Sequence, residues 1–288
     1  MNLSPIVAGV WRLNEWKLDT PGLVRWVEQA LELGITSFDH ADVYGGYSVE
    51  AAFGEALAAA PALRQRLQIV TKCGIKLISP ARPSHAVKHY DTSRAHITAS
   101  VESSLRALRT DRIDLLLIHR PDALMDADEV AQTFLDLRAA GKVLHFGVSN
   151  HTPSQFALLH HRLPLATHQI EFSPLTMTAL DDGTLDQAQD LGTPPMVWSP
   201  LAGGRLLKAQ DGQTQRVRDV LSALGNQRGV SVATMAYAWL RRHPSRPIPI
   251  TGSGRIEALR EAVAALNVQL TAEDWTLVWQ ASMNREVA

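Results

Sequence analysis

Short runs rich in aliphatic and β-branched residues alternate with longer stretches in which apolar residues recur every three to four positions, and this alternation continues from residue 6 towards the C-terminus. The short runs predict strands over 6–10, 36–39, 67–72, 113–119, 143–149, 166–170, 196–199 and 247–250. Between them the helical spacing predicts helices over 23–33, 49–60, 94–108, 128–140 and 231–242, with Gly34 and Gly141 placed where helix C-termini accept a left-handed residue. Eight strands alternating with helices predict a TIM-type (β/α)8 barrel rather than an open doubly wound sheet. No repeat or linker divides the chain, so a single α/β domain over 1–288 is expected.

Two stretches break this rhythm. Residues 74–91 carry Ser79, Pro80, Pro83 and Ser84 after the third strand, and 203–214 are glycine-rich and polar after the seventh. Both read as long loops, and on a barrel such loops sit on the reactive face and shape ligand access.

Composition narrows the picture. Hydrophobic residues at 45% and charged residues at 20% allow a large core and exclude a disordered chain. A net charge of -1 gives no general electrostatic reason to bind nucleic acid, and the cluster Arg241, Arg242, His243 and Arg246 reads as a solvated helix end. The single cysteine, Cys73, excludes an internal disulfide and suits a reducing compartment. The segment MNLSPIVAGVWRL lacks the basic and apolar regions of a secretory signal, and no run of about 18 apolar residues occurs, so a cytoplasmic location away from membranes is expected.

Chemistry gathers at the predicted strand ends. Asp39 and Tyr44 follow the second strand in SFDHADVYGG, Lys72 ends the third in LQIVTKCG, and His119 ends the fourth in IDLLLIHRPD. A parallel barrel brings the carboxyl ends of its strands to one bowl, so these four residues are expected to meet. A lysine ammonium beside a tyrosine favours the phenolate and lowers its pKa; an aspartate compensates the buried ammonium; a histidine orients a carbonyl oxygen. That set can protonate a developing alkoxide, as carbonyl reduction requires, but contains no hydride source.

With these residues in view, the chain resembles the aldo-keto reductases, bacterial oxidoreductases of that family in particular. The likeness spans nearly the whole sequence through FDHADVYGG, IVTKCG, LLLIHRPD, HFGVSN, THQIEFSPL, VWSPLAGGRLL and PITGSGRIEALREAV. It implies a barrel reductase using NADPH, with NADH possible, in which Tyr44 donates the proton, Lys72 lowers its pKa, Asp39 supports Lys72 and His119 positions the carbonyl of a small-molecule substrate. It further implies that Ser149, Asn150 and Gln169 hold the nicotinamide carboxamide, that Ser199, Leu201, Gly203 and Arg205 cover the pyrophosphate, and that Gly252, Ser253, Gly254 and Arg255 receive the adenosine 2′-phosphate. Binding without a Rossmann domain fits the absence of a strand followed by G-x-G-x-x-G.

One departure concerns the final helix, where Ala258 and Ala262 stand in place of the arginine and asparagine of better-known members; Arg255 or Arg260 is expected to substitute, since a guanidinium binds phosphate through two hydrogen bonds. Other chemistries have less support. His40, Asp42, His119 and His168 supply metal-ligand atoms without a compact ligand motif, and neither G-x-S-x-G nor a P-loop occurs. Cys73 reads as an inert packed thiol, Trp275 and Trp279 as a packing stripe, and Trp11 as either a lining or a packing residue. A nicotinamide-binding sensor or accessory subunit is the alternative of a different class.

Overall fold

The computed structural model describes residues 1–287. Eight strands close into a parallel barrel whose neighbours follow chain order around the ring. That order is what a succession of right-handed strand-helix-strand crossovers produces.

Contacts concentrate in two units. The first contains β1 (Val7–Gly9), α1 (Thr20–Glu32), β2 (Ser37–Asp39), α2 (Val49–Ala59), β3 (Gln68–Cys73), β4 (Ile75–Lys76), β5 (His89–Tyr90), α3 (Arg94–Leu108), β6 (Ile113–Ile118), α4 (Ala127–Ala139), β7 (Val143–Ser149) and α5 (Pro153–His160), and it includes the start of β8 (His168–Glu171). The second holds α6 (Thr178–Asp181), α7 (Thr184–Asp190), β9 (Met196–Trp198), α8 (Arg205–Lys208), α9 (Gly212–Arg228), α10 (Val232–Arg241), β10 (Ile248–Thr251), α11 (Ile256–Ala264) and α12 (Ala272–Met283). The ring runs β1-β10-β9-β8-β7-β6-β3-β2, while β4 and β5 form a separate two-stranded ribbon.

The side-chain period of two decides what each strand offers to which face. On β3, Thr71 turns to the helices and donates to Glu50 of α2, and Cys73 packs in a core with Ile97 and Val101 of α3. Lys72 between them therefore points the other way, into the barrel, where it is fully buried. The helix-facing core continues through Ile118, Phe134, Phe146 and Phe156, with Phe134 and Phe146 stacked at 4.1 Å between ring centroids. In the second unit Trp239 and Trp275 stack at 4.9 Å and exchange hydrogen bonds, each indole N–H reaching the other's backbone carbonyl. Trp279 leans on Trp275 at 5.5 Å, so both tryptophans of α12 are packing residues.

The two long stretches are more ordered than loops. Residues 74–91 begin and end in the ribbon of β4 and β5, with Ile75 opposite Tyr90 and Lys76 opposite His89, which satisfies backbone groups at the neck of the excursion. Ile75 and Leu77 pack with Val43, Tyr44 and Tyr47, fixing this excursion beside the Tyr44 segment. Residues 203–214 contain α8 and the first turn of α9, where Asp211 caps the helix by accepting from the Thr214 amide and hydroxyl. Asp-Gly-Gln-Thr reads locally as a turn because a capping residue and a turn residue share the same side-chain chemistry. No helix among the described residues is long and apolar enough to cross a membrane.

Candidate active site

Lys72 Nζ lies 2.8 Å from both carboxylate oxygens of Asp39, 2.7 Å from the His40 carbonyl oxygen and 3.0 Å from Tyr44 Oη. In the register of β2 on β3 Asp39 stands beside Val70, two residues before Lys72 on the same side-chain face, and the 3-10 turn at Tyr44–Gly46 folds the phenol back over the lysine. An ammonium has only donors. Its contacts therefore fix the polarity: Asp39, the His40 carbonyl and Tyr44 Oη all accept, and the tyrosine's own proton is left to point elsewhere. Gln169 adds a neutral donor, with Nε2 2.8 Å from Asp39 Oδ1.

Burial penalises the Lys72 ammonium, yet Asp39 and then Tyr44 outweigh it and its pKa stands above the ordinary value. Tyr44 differs from the sequence expectation. Burial raises its pKa more than the Lys72 charge lowers it, so the net direction is upward and the phenol keeps its proton at neutral pH. Lys72 is nevertheless the largest influence opposing that rise. His119 stands edge-on to the Tyr44 ring at 5.9 Å between centroids. Burial first, then the positive charges of Lys72, Arg120 and Lys88, push its pKa well down, so the imidazole is neutral.

The remaining predicted residues fall in two groups. In the first unit, Ser149 ends β7 and its hydroxyl accepts from Asn150 Nδ2 at 2.7 Å, while Asn150 takes a left-handed backbone with φ 59°. Gln169 lies beside these two, paired with Ser149 across β7 and β8 and accepting the Asn150 amide at 2.9 Å, while its side-chain amide donates to Asp39, which it shares with Lys72. Gly252, Ser253 and Gly254 follow β10, and Trp16 covers Gly254 so closely that a Cβ there would stand 2.6 Å from the indole. In the second unit, Ser199 and Gly203 have positive φ in the turn after β9, and Leu201 accepts the Gly204 amide. Arg205 opens α8, with Nη2 3.4 Å from Asp211 Oδ1 and 3.4 Å from Gln213 Oε1. Arg255 precedes α11, and Arg260 lies 3.7 Å from Glu257 within it.

Each group, taken by itself, offers chemistry that suits one part of a nicotinamide dinucleotide. Paired amide and hydroxyl side chains stand at a strand end, and at Gly203 and Gly204 nothing lies within 4 Å of where a Cβ would be, leaving the backbone open to close approach. The metal-ligand alternative lacks geometry: among the described residues no three His, Cys, Asp or Glu side chains form a group able to hold an ion. Cys73 is buried, with its thiol pKa pushed well up by burial and by the charges of Asp42 and Glu50. The His40 carbonyl had no sequence signal as a lysine partner, because it is a backbone group.

The sequence model of the aldo/keto reductase family matches residues 5–282, and the chain belongs to that family. It is an NAD(P)H-dependent oxidoreductase. It is 51% identical to the oxidoreductase YdhF of Escherichia coli over 99% of this chain and 95% of that one. It is 43% identical to a 6-dehydroglucose reductase of Agrobacterium fabrum over 100% of this chain and 97% of the relative. A crystal structure of an aldo/keto reductase from Klebsiella pneumoniae with NADP and acetate superimposes with a TM-score of 0.77 at 25% identity, covering 96% of this chain and 90% of that one.

Proposed function

We propose that residues 1–288 form one catalytic domain that reduces aldehydes or reactive ketones to alcohols with NADPH, Tyr44 donating the proton. The observation that carries this reading is the set of contacts around Lys72 Nζ: with the ammonium donating into Tyr44 Oη at 3.0 Å, the phenolic proton is directed to another acceptor. The nicotinamide, when bound, supplies the hydride. As negative charge develops on the carbonyl oxygen, Tyr44 gives up its proton and the neighbouring ammonium stabilises the resulting phenolate. Asp39 holds that ammonium in place, and neutral His119 is suited to donate a hydrogen bond to the same oxygen. Ser149, Asn150 and Gln169 are assigned to the carboxamide, Ser199, Leu201, Gly203 and Arg205 to the pyrophosphate, and Gly252, Ser253, Gly254 and Arg255 to the 2′-phosphate. The NADP in the Klebsiella structure supports the phosphorylated cofactor, and the name of the Agrobacterium relative puts oxidised sugars among the first substrates to test.

The test is NADPH oxidation with a panel of aldehydes, dicarbonyls and oxidised sugars, with alcohol product identified. Tyr44→Phe should lower kcat/KM by about 10²- to 10⁴-fold while cofactor affinity is kept. Wild-type turnover in that variant would remove Tyr44 from the mechanism, and cofactor binding without reduction of any carbonyl would favour a sensor.

A further inference from the structure

Two buried histidines flank the turn between β7 and α5, and their partners fix where their protons sit. His168 Nε2 lies 3.1 Å from the backbone nitrogen of His151. A backbone amide only donates, so Nε2 is a bare acceptor and the neutral ring carries its proton on Nδ1. His151 Nδ1 lies 3.0 Å from the Ser149 carbonyl oxygen, which only accepts, so that ring is also protonated on Nδ1. Burial keeps both imidazoles neutral, pushing His151 down to about 4 and His168 down to about 3. Phe156 of α5 packs on the His168 ring at 5.4 Å between centroids and holds its orientation.

Between these contacts lies Asn150, left-handed at φ 59° although it is not glycine. Asparagine enters that region more readily than other residues with a side chain, and in this turn hydrogen bonds at the backbone fix the choice. Here the anchors come from adjacent residues of β8: the Asn150 amide donates to the Gln169 carbonyl at 2.9 Å, and the His151 amide donates to His168. Thr152 then starts α5 with a capping box that fixes the exit of the turn.

We propose that His168 is a positioning residue for the cofactor, holding through the His151 amide the left-handed turn that sets Ser149 and Asn150 for the nicotinamide carboxamide. This rests on the assignment of Ser149 and Asn150 made above. Replacing His168 by an apolar side chain would leave the His151 amide buried without a partner, and the turn would relax towards solvent or another acceptor. A glutamine carries a carbonyl oxygen about as far from the backbone as Nε2 and can take over the bond.

The experiment compares His168→Leu, His168→Gln, Ser149→Ala and Asn150→Ala in the full chain by NADPH fluorescence titration, steady-state kinetics and thermal melts. His168→Leu should raise the cofactor Kd and KM by about tenfold while the KM for the carbonyl substrate stays within about twofold, and His168→Gln should restore cofactor binding. If the leucine variant does not fold, His168→Met provides the comparison without an amide acceptor. Equal losses in the apolar variant and the glutamine variant would overturn the proposal, because the acceptor would then not be the cause. If Ser149→Ala or Asn150→Ala weakens cofactor binding while His168→Leu does not, the positioning role fails and the carboxamide assignment stands. No change in any variant would remove both.

Discussion

Lys72 shows how a buried charge is tolerated: a fully buried ammonium would be costly alone, but a carboxylate, a carbonyl and a phenol oxygen take all three of its protons. Asp42, three residues on from Asp39, is less well served. Its Oδ2 accepts from Ser100 at 2.5 Å, while Oδ1 is buried without a partner among the described residues. Burial pushes its pKa up to about 7, with the Glu50 charge acting in the same direction against the Ser100 hydrogen bond. The folded state thus holds this proton more tightly than the unfolded chain, and the resulting stability is lost as pH rises from about 4 through about 7. Asp42→Asn keeps an acceptor for Ser100 and cannot ionise. Its melting temperature relative to wild type is expected to be higher at pH 8 than at pH 5, by the equivalent of a few kcal/mol, on the order of what such a shift allows. An offset that is the same at both values would mean Asp42 does not titrate in this window.

Helix packing carries an equally sharp constraint where α2 meets α3. At Gly54 a Cβ would stand 2.0 Å from the backbone oxygen of Ala107. Helix propensity alone favours alanine over glycine by about 1 kcal/mol. Relieving a clash with backbone requires the helices to move apart, at a cost of roughly 1–3 kcal/mol or more for overpacking, so the clash decides the sign. Gly54→Ala is expected to lower the melting temperature by several degrees, on the order of 2–4 °C per kcal/mol for a protein of this size. A higher melting temperature would mean that α2 and α3 separate at little cost. The same helices carry Glu50, which accepts from Thr71 and from Ser104, and Ser100, which donates to Asp42, so they are tied to each other and to the segments bearing Lys72 and Tyr44. Packing at this level therefore reaches the site.

Across the protein, His40, His151 and His168 are buried neutral, with pKa values pushed down to about 3, 4 and 3 chiefly by burial. Their unfolded forms protonate near 6.5, so the stability they contribute is present above that pH and is lost as pH falls towards the folded values. Between pH 7 and pH 5 each histidine contributes a loss of about 2 kcal/mol, partly offset by Asp42, and the urea midpoint is expected to drop accordingly. A midpoint unchanged down to pH 5 would contradict neutral burial of these rings. The eight barrel strands and the residues at their ends were legible in the chain, because strand and helix periods are local and a parallel strand presents its carboxyl end to the same bowl whatever its partners. Asp39, Tyr44, Lys72 and His119 could be named on that basis. What pairing and burial alone settled is the direction of the Tyr44 pKa, the attachment of Gln169 to Asp39, the His40 carbonyl as a lysine acceptor and the tautomers of His151 and His168. Each depends on atoms brought within about 3 Å from distant parts of the chain or from the backbone, and on how much water is excluded around them. Neither quantity is written in the order of residues.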